Sequence, residues 1–427
     1  MNKKLSILIL IIALGFFMGL ALFFAPNHAY SLQAISTASG LIDINIVFLN
    51  LAAAAGASWF ICYLVIRYEH LHAHLSHDHA NAGPQKFHTE PTPRIGGLGI
   101  FGGLLLSTWI VPIIAPATSL FDKNFGFLFL AACPAFFGGI VEDISKSVGV
   151  IERLLLTMIS AAIGAWLLGA VIQRLDFVVL DKLMFWLPCA IIFTVFAVGG
   201  VANAVNIIDG YNGLAAGFSI VILTAMAFVA TQVNDMLVFM LCVGMIGALL
   251  GFLAWNWPKG KIFMGDGGAY LLGFILAELS VLLICRNPKV SPWFPLLLLG
   301  YPVFETLFSM FRRKFLHLTV SGHPDALHLH QLLFKWLARH HIRGDHQYIT
   351  TSNNSRVAPI IWLAAVIVAI FAVSFWQNTL ILQLAFFFGC VVYILLYWKL
   401  STIRLHDKRA MQRLKVITAS FHEKQTH

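Results

Sequence analysis

The stretch FMGDGGAY, residues 263–270, stands at the start of an apolar run over 267–285. Its Asp266 lies between Gly265 and Gly267, where the missing side chains let a phosphate or a metal approach the carboxylate and the backbone N–H groups. The N-terminal dipole of a helix that begins here also favours anions. The alternative is that Asp266 is only the N-cap of that helix. An apolar run of about 20 residues is long enough to cross a bilayer, so the stretch predicts a membrane helix with a polar group at its start.

The rest of the chain has the same apolar character. Of its 427 residues, 59% are hydrophobic and 11% are charged, which excludes an ordinary soluble globule. The apolar runs that can each span a membrane lie at 5–25, 44–66, 95–115, 124–142, 153–173, 184–203, 213–231, 237–255, 267–285, 293–311, 357–376 and 380–398. The sequence therefore predicts an all-α, polytopic integral membrane protein with about 11–12 transmembrane helices.

Three segments follow from this pattern. Residues 1–43 are predicted to form an extra N-terminal transmembrane helix and an outside loop, residues 44–398 a multi-helix membrane domain, and residues 399–427 a basic cytoplasmic tail. The first residues resemble a signal peptide, because Lys3 and Lys4 precede an apolar run. That run is long and lacks a convincing cleavage site, so we expect an uncleaved helix.

The orientation of the chain follows from its Lys and Arg residues. If the N-terminus is cytoplasmic, five of the 28 basic residues fall in outside loops and the others fall inside, which is the bias expected of a membrane protein. The outside residues are Lys123, Arg174, Lys182, Arg286 and Lys289. The chain has five polar clusters, at residues 91–97, 138–147, 203–214, 263–270 and 323–333. The same assignment puts each of them at or next to the cytoplasmic end of a predicted helix. We therefore predict a multi-pass protein of the inner (plasma) membrane with a cytoplasmic active site and both termini cytoplasmic.

Charge and cysteine content give no support to other classes of partner. The net charge of +9 is what an excess of Lys and Arg near anionic headgroups gives, so no nucleic acid is needed to explain it. The six cysteines are isolated within apolar runs. That pattern favours neither a disulfide framework nor a zinc site.

The cluster NAVNIIDGYNGL (203–214) carries an amide and carboxylate series. Asn203, Asn206 and Asp209 recur every three residues, so on a helix they share one face about 120° wide before Gly210 ends the turn. The alternative is an ordinary polar helix end with Asn and Gly as punctuation. The density of the series favours a functional face.

The cluster GGIVEDISKS (138–147) contains two adjacent acids. Glu142 and Asp143 end an apolar run and are followed by Lys146 and Arg153. Neighbouring carboxylates resist each other's ionisation unless a cation or a proton lies between them. Mg²⁺ takes one or two carboxylates and leaves its other positions to water and phosphates, which suits such a pair. A solvated acid pair at the membrane interface is the alternative.

The cluster HPDALHLHQLL (323–333) lies in a basic loop. Its imidazoles can bind phosphate as donors or transfer protons, and a zinc site is less favoured because further ligands at metal spacing are missing. The polar residues of this cluster are His323, Asp325, His328 and His330.

Three further polar features of the sequence remain. PTPRIGG (91–97) is predicted to be a turn whose Arg94 either holds an anionic group or follows the positive-inside bias. The histidine-rich run HLHAHLSHDH (70–79) is read as a solvated loop and is left out of the site. Glu278 lies inside an apolar run and is a functional candidate without an identified partner.

These clusters, in this order and at these helix ends, resemble the polyprenyl-phosphate N-acetylhexosamine-1-phosphate transferase family of the glycosyltransferase 4 type. The similarity covers roughly residues 44–335. The resemblance implies a cytoplasmic site where a sugar 1-phosphate passes from a UDP-N-acetylhexosamine to undecaprenyl or another polyprenyl phosphate, with release of UMP. It also implies a requirement for Mg²⁺, with Mn²⁺ as the alternative. Membrane lipids are the other expected partners, and a homodimer is left open.

The resemblance is carried over residue by residue. Glu142 and Asp143 match the paired acids of the family, and Asp266 matches its metal-binding Asp. The predicted catalytic residues are then Glu142, Asp143 and Asp209, and the predicted metal ligand is Asp266. The predicted substrate-binding residues are Arg94, Lys146, Asn203, Asn206, Asn212, Asp325, His328 and His330.

The sequence departs from the family pattern at two positions. Glu142 replaces the usual first Asp of the pair, and Asn212 stands where many relatives carry a second Asp. The last loop also lacks the triple-histidine run of the phospho-N-acetylmuramoyl-pentapeptide transferases. The chain therefore looks closer to the branch that initiates O-antigen, common-antigen or teichoic-acid polymers of the cell envelope.

The expected chemistry brings two phosphorylated molecules together, so cations are obligatory. Direct in-line attack and a two-step route through an acyl phosphate both place a carboxylate near the transferred phosphorus. The rival class is an ion-coupled transporter, which should carry its polar residues near the bilayer midplane and show two related halves. A metal sensor built on the histidine-rich run would leave the other clusters unexplained.

Overall fold

A computed structural model describes residues 44–71, 77–78, 92–114, 124–315, 327–339 and 346–425. Within them, side chains are described for residues 44–71, 92–109, 124–315, 327–337 and 354–402. The predicted first helix and outside loop, residues 1–43, lie outside the described residues. So do His323 and Asp325 and most of the histidine-rich run.

The described chain is almost entirely helical, as predicted. Its helices are α1 Ile44–Arg67, α2 Gly97–Ile114, α3 Asn124–Ser145, α4 Val150–Leu168, α5 Val178–Met184, α6 Leu187–Ile208, α7 Leu214–Gln232, α8 Met236–Asn256, α9 Gly265–Arg286, α10 Trp293–Leu298, α11 Gly300–Phe315, α12 Leu329–Arg339, α13 His346–Ser374 and α14 Thr379–Gln425. Two short strands, β1 His77–Asp78 and β2 Thr92–Pro93, pair antiparallel.

Nine helices of the described chain are long and apolar enough to cross a membrane. They are α1, α3, α4, α6, α7, α8, α9, residues 354–374 of α13 and residues 379–402 of α14. Within the bilayer a helix satisfies its own backbone hydrogen bonds, which explains why apolar runs become helices here. The polytopic all-α prediction is confirmed.

Helix α9 is the centre of the bundle. In the most apolar stretch of 18 residues of α9, 94% of the residues are buried, whereas in the corresponding stretch of α14 only 11% are buried. Helix α9 packs against α2, α3, α4, α6, α7 and α8. It begins within the FMGDGGAY stretch. Because α9 is surrounded by other helices, the ends of those helices can lie close to its first residues.

The predicted single span over 293–311 is divided into two helices. Helix α10 stops at Leu298, and α11 begins at Gly300 with Pro302 in its first turn. A proline ring has no N–H and clashes with the preceding turn, so it fits a helix start better than a helix interior. Helix α11 buries Glu305 and Arg312, whereas Phe311 is 52% exposed. This helix therefore turns polar side chains toward the protein and apolar ones outward.

The helix ends opposite α9's first turn are joined by polar contacts of their own. Asp235 caps α8 and accepts hydrogen bonds from Arg286 Nε and Asn287 Nδ2, both at 2.8 Å. Arg174 donates to the carbonyl oxygen of Pro288 at 2.8 Å.

At the C-terminus, the predicted boundary between 398 and 399 falls inside one helix, because α14 continues to Gln425.

Candidate active site

The PTPRIGG segment lies against the start of α9. The N–H of Phe263 donates to Pro93 O at 2.8 Å, and the N–H of Gly97 donates to Met264 O at 2.8 Å. Part of the predicted turn forms β2, which pairs with β1, and the two backbone bonds join this segment to the residues before α9. They place Arg94 directly beside the first turn of α9.

The carboxylate of Asp143 holds the first turn of α9 from the other side. It is fully buried and accepts hydrogen bonds from the N–H groups of Asp266 and Gly267, each at 2.9 Å. Gly265 makes this approach possible, because its φ is +74° and a Cβ there would collide with Arg94 O and with the Asp143 carboxylate. Asp143 thus satisfies two of the N–H groups that the first turn of a helix leaves without a partner.

Asp266 is 8% exposed and lies between two guanidinium groups. Arg94 Nη2 is 3.5 Å from its Oδ1, and Arg153 Nη1 donates a hydrogen bond to its Oδ2. Arg94 Nη2 is also 3.8 Å from Asp143 Oδ1. Two acids and two arginines therefore share one small volume at the end of the bundle.

Asp209 joins the same electrostatic group. It follows the last residue of α6. Although part of the residue remains exposed, desolvation of the carboxyl raises the pKa of Asp209 to about 7, with Arg94 lowering it and Asp266 raising it. Among the described residues no side-chain hydrogen bond to this carboxyl is found. Asp209 is thus able to hold or release a proton near neutral pH.

The two histidines of the last cluster reach this end of the bundle. His330 is 1% exposed, and its Nδ1 is 3.0 Å from the hydroxyl of Tyr301. Its Nε2 faces the residue after Asp209, since a Cβ on Gly210 would lie 3.7 Å from it. Burial lowers the pKa of His330 to about 3, an effect that nearby Glu305 opposes. The ring of His328 stacks on that of His330 at 5.4 Å and 9°.

Glu142 and Lys146 lie at the rim. Glu142 Oε2 accepts a hydrogen bond from the N–H of Val148 at 2.7 Å, and Lys146 Nζ donates to Asp143 O at 2.7 Å. Both contacts close the end of α3 and the turn into α4. Their predicted catalytic and substrate-binding roles stay predictions.

The three asparagines are placed differently from one another. Asn203 donates to Gly199 O at 2.8 Å, one turn deeper in α6. Asn212 lies in the turn between α6 and α7, and its Nδ2 donates at 3.1 Å to the carbonyl oxygen of Pro258, which follows α8. The Nδ2 of Asn206, by contrast, is buried and has no hydrogen-bond partner within the described part of the chain. Asn206 is therefore the asparagine with a donor left for a ligand.

Two residues outside the predicted site belong to this end of the bundle. The sequence identifies Arg153 only as a base that follows the acid pair, whereas the structure places it in direct contact with Asp266. A basic residue in the first turn of an apolar run was the signal that could have found it. Glu305 contacts His328 from α11, and only folding shows this, because the two residues are 23 positions apart.

A divalent cation would find few protein ligands here. No group of three or more His, Cys, Asp or Glu side chains suited to a metal occurs in the described ranges. Asp266 has Asp143 and Asp209 as acidic neighbours. One or two carboxylates with the remaining positions left to water and phosphate is the arrangement that suits Mg²⁺, so the residues fit this ion rather than a closed all-protein metal site.

Comparisons with known proteins identify the family of this chain. The model of the glycosyl transferase family 4 matches residues 125–284, a range that includes α3 and α9. The chain is 29% identical over 265 residues to the probable undecaprenyl-phosphate N-acetylglucosaminyl 1-phosphate transferase of Bacillus subtilis, covering 60% of this chain and 69% of that protein. It is 28% identical over 282 residues to the decaprenyl-phosphate N-acetylglucosaminephosphotransferase of Mycobacterium tuberculosis, covering 58% and 67%.

A third relative carries the family assignment. The chain is 31% identical over 301 residues to the phospho-N-acetylmuramoyl-pentapeptide-transferase of Staphylococcus haemolyticus, covering 67% of this chain and 85% of that protein. Similarity at this level over most of a relative's length indicates a shared fold. The relationship favours a phospho-sugar transferase over a membrane transporter. The chain is a member of glycosyl transferase family 4.

Proposed function

We propose that this protein transfers an N-acetylhexosamine 1-phosphate from a UDP-sugar to undecaprenyl phosphate or another polyprenyl phosphate. The products are a polyprenyl-diphosphate sugar and UMP, and the reaction begins the synthesis of a cell-envelope polysaccharide. The names of the relatives support the two substrate classes. The basic bias of the predicted inside segments supports a cytoplasmic site in the inner membrane.

One observation carries the proposal. Asp266, at the start of the most buried helix, lies between Arg94 and Arg153 and beside Asp143. A lipid phosphate and a diphosphate repel each other strongly where water does not screen them. A site that combines cationic side chains with carboxylates fits a pair of polyanions, because it offers direct positive charge and ligands for a divalent cation.

Arg94 and Arg153 are proposed to bind the diphosphate of the UDP-sugar. A guanidinium presents several N–H donors in one plane and matches phosphate oxygens well. Asn206 adds a buried amide donor without a partner of its own among the described residues. These side chains would hold the donor substrate and leave its phosphorus open to the acceptor.

Asp209 rather than Asp143 is proposed to act on the incoming lipid phosphate. Both oxygens of Asp143 already accept backbone N–H groups, so this residue shapes the start of α9. Asp209 has a pKa of about 7 and can take the last proton of a phosphate monoester, whose second pKa is about 6. The acceptor would then attack as a dianion.

Asp266 would hold Mg²⁺, with water and substrate phosphates at the remaining positions. Bound there, the ion supplies charge neutralisation for diphosphate oxygens and for departing UMP. In this proposal the paired arginines compensate the Asp266 charge when no divalent cation is bound. Removing divalent cations with a chelator should therefore stop transfer, and Mg²⁺ or Mn²⁺ should restore it.

Direct in-line attack is proposed, since a phosphate is already a competent nucleophile. The alternative route forms an acyl phosphate on an aspartate and releases UMP before the acceptor binds. The two routes differ in one measurable exchange. Incubation of purified protein with UDP-N-acetylglucosamine and labelled UMP, without lipid acceptor, should give no labelled UDP-sugar; exchange would establish the two-step route.

The decisive test of the function is a transfer assay. Membranes that contain the protein are incubated with labelled UDP-N-acetylglucosamine, polyprenyl phosphate and Mg²⁺, and the lipid extract and UMP are measured. We expect a lipid-extractable label and an equal amount of UMP, with a panel of UDP-N-acetylhexosamines identifying the sugar. No label with any of these sugars would contradict the proposal and return the ion-coupled transporter to consideration.

A further inference from the structure

Glu305 is a buried acid that the proposed reaction does not yet use. It lies in the second turn of α11 and is 1% exposed. Leaving a carboxylate in such surroundings costs several kcal/mol unless hydrogen bonds compensate it. Its contacts therefore show what this residue holds in place.

Three groups from two other segments contact the Glu305 carboxylate. His328 Nδ1 is 2.8 Å from Oε1, the N–H of Leu329 donates to Oε2 at 3.1 Å, and the Tyr393 hydroxyl donates to Oε2 at 2.7 Å. Although desolvation opposes this, the hydrogen bonds from His328 and Tyr393 and the two nearby imidazoles lower the pKa of Glu305 overall, which favours the ionised carboxylate. Leu329 is the first residue of α12, so the same carboxylate also fixes the start of that helix.

This arrangement determines the tautomer of His328. A carboxylate has no proton to give, so the proton between the two side chains belongs to His328 Nδ1. The Nε2 edge is then the part of the ring left to meet a ligand. The parallel stack with His330, 5.4 Å between ring centres, restrains the plane in which that edge lies.

The stacked histidine pair lies next to the turn that carries Asp209. His330 is oriented by Tyr301 through its Nδ1, and its Nε2 faces Gly210, next to Asp209. Residues of α11 thus orient both rings, one through a carboxylate and the other through a phenol. A displacement of His328 would therefore change the position of the His330 ring and of the turn that carries Asp209.

We infer that Glu305 is a positioning residue of the transfer reaction, which holds His328 with its proton on Nδ1 and its Nε2 edge toward a phosphate oxygen of the bound substrates. The inference rests on the proposed function. It assigns Glu305 no contact with substrate. Its effect acts through the orientation of one imidazole, as a carboxylate behind a histidine does in many catalytic and metal sites.

The test compares variants of the full-length protein in the transfer assay, with activity expressed per folded molecule. Glu305→Gln keeps the shape of the side chain but removes the charge, and we expect a loss of about 10–100-fold in kcat with a smaller change in KM for the UDP-sugar. Glu305→Asp keeps the carboxylate and should recover part of the loss. Asp235→Asn is the matched control, because it also neutralises a buried acid held by hydrogen bonds but lies at the other end of the bundle, and it should leave kcat unchanged.

A double-variant comparison separates positioning from a purely structural role. If Glu305 acts through His328, then adding Glu305→Gln to His328→Asn should cost no further activity. A structural role would instead lower the thermal midpoint of Glu305→Gln while its kcat per folded molecule stays at the wild-type value, and that result would overturn the inference. Additive losses in the double variant would overturn it as well.

The outcome of the wild-type reaction keeps the two proposals distinct. If the wild-type protein transfers no sugar phosphate to lipid, the proposed function fails and the positioning role fails with it. If the wild-type protein is active and Glu305→Gln is equally active, only the positioning role fails. If Glu305→Gln folds only partly, the Glu305→Asp variant tests the positioning role instead. It should show an intermediate kcat at near-normal stability.

Discussion

Asp266 is the residue on which the site depends most directly. Its carboxylate contacts Arg153 and Arg94, and its N–H is held by Asp143. Asp266→Asn keeps the size of the side chain and removes its charge. We expect transfer to fall by about 10²-fold or more, equivalent to about 2.7 kcal/mol of transition-state stabilisation, because both the cation ligand and the arginine partner are lost. The transfer assay on membranes measures this directly.

A matched control for Asp266→Asn lies at the far end of the bundle. Asp235 is also a buried acid paired with an arginine, at 2.8 Å from Arg286 Nε. Asp235→Asn should lower stability but leave activity per folded molecule unchanged. Near-normal turnover in Asp266→Asn would show that the metal assignment is wrong, and equal losses in both variants would show that the effect is structural.

His330 gives a prediction for stability against pH. Burial lowers its pKa to about 3 in the folded protein, whereas an unfolded histidine titrates near about 6.5. Above about pH 6.5 both states are neutral and the folded state loses nothing. As pH falls below that value the unfolded chain binds the proton first, so stability decreases by up to about 1.4 kcal/mol per pH unit.

The measurement is the thermal midpoint of the detergent-solubilised protein between pH 7.5 and pH 5, both chosen to bracket about 6.5. His330→Asn should start from a lower midpoint, since it loses the Tyr301 hydrogen bond, but its midpoint should fall less steeply with acidification. The same slope in both proteins would mean that His330 titrates normally when folded.

Helices α4 and α9 pack closely where Gly164 meets Glu278, and the contact leaves no space for another atom. A Cβ on Gly164 would collide with Glu278 Oε1 and lie 2.7 Å from its Cδ. Both oxygens of Glu278 are buried and lack a hydrogen-bond partner among the side chains and backbone described. Glycine at 164 is thus what lets a carboxyl fit between two membrane helices.

Gly164→Ala should destabilise the protein by about 1–3 kcal/mol through overpacking. In a Glu278→Ala background the same substitution should cost less, because the obstructing carboxyl is gone, and the coupling should be about 0.5–3 kcal/mol. Thermal midpoints of the two single variants, the double variant and the wild type measure the coupling. Additive effects would show that α4 and α9 separate to relieve the collision.

The architecture of the whole molecule makes a prediction about sidedness. The acids, arginines and histidines of the site lie at one end of the bundle, and the Asp235–Arg286 and Arg174–Pro288 contacts lie at the other. If the positive-inside bias sets the orientation, the first end faces the cytoplasm. Val150 is 69% exposed at the first end, and Lys289 is exposed at the second.

Cysteine labelling tests this orientation. In a variant with the six native cysteines replaced by alanine, we introduce Val150→Cys or Lys289→Cys and add a membrane-impermeant maleimide to right-side-out vesicles. Lys289→Cys should react at once, and Val150→Cys only after the vesicles are permeabilised. The reverse order would place the site outside and contradict the use of a cytoplasmic UDP-sugar.

Much of this molecule follows from the order of its residues alone. Because hydrocarbon supplies no hydrogen-bond partners, apolar runs must become helices, and the chain then alternates between the two membrane faces. That reasoning predicted nearly every described helix and brought Asp143, Asp209, Asp266 and His330 to one end, where the structure indeed gathers them. The assigned roles of these residues remain predictions to be tested.

Contacts between distant segments could not be obtained from the order of residues. Arg153 pairs with Asp266 across 113 positions, and Tyr393 reaches Glu305 across 88. The interruption before α11 turns Glu305 inward to His328, whereas an unbroken span gave no reason to expect that partner. The membrane restricts each segment to a helix, but which side chains touch depends on how neighbouring helices rotate and approach, and close packing between their surfaces sets those distances.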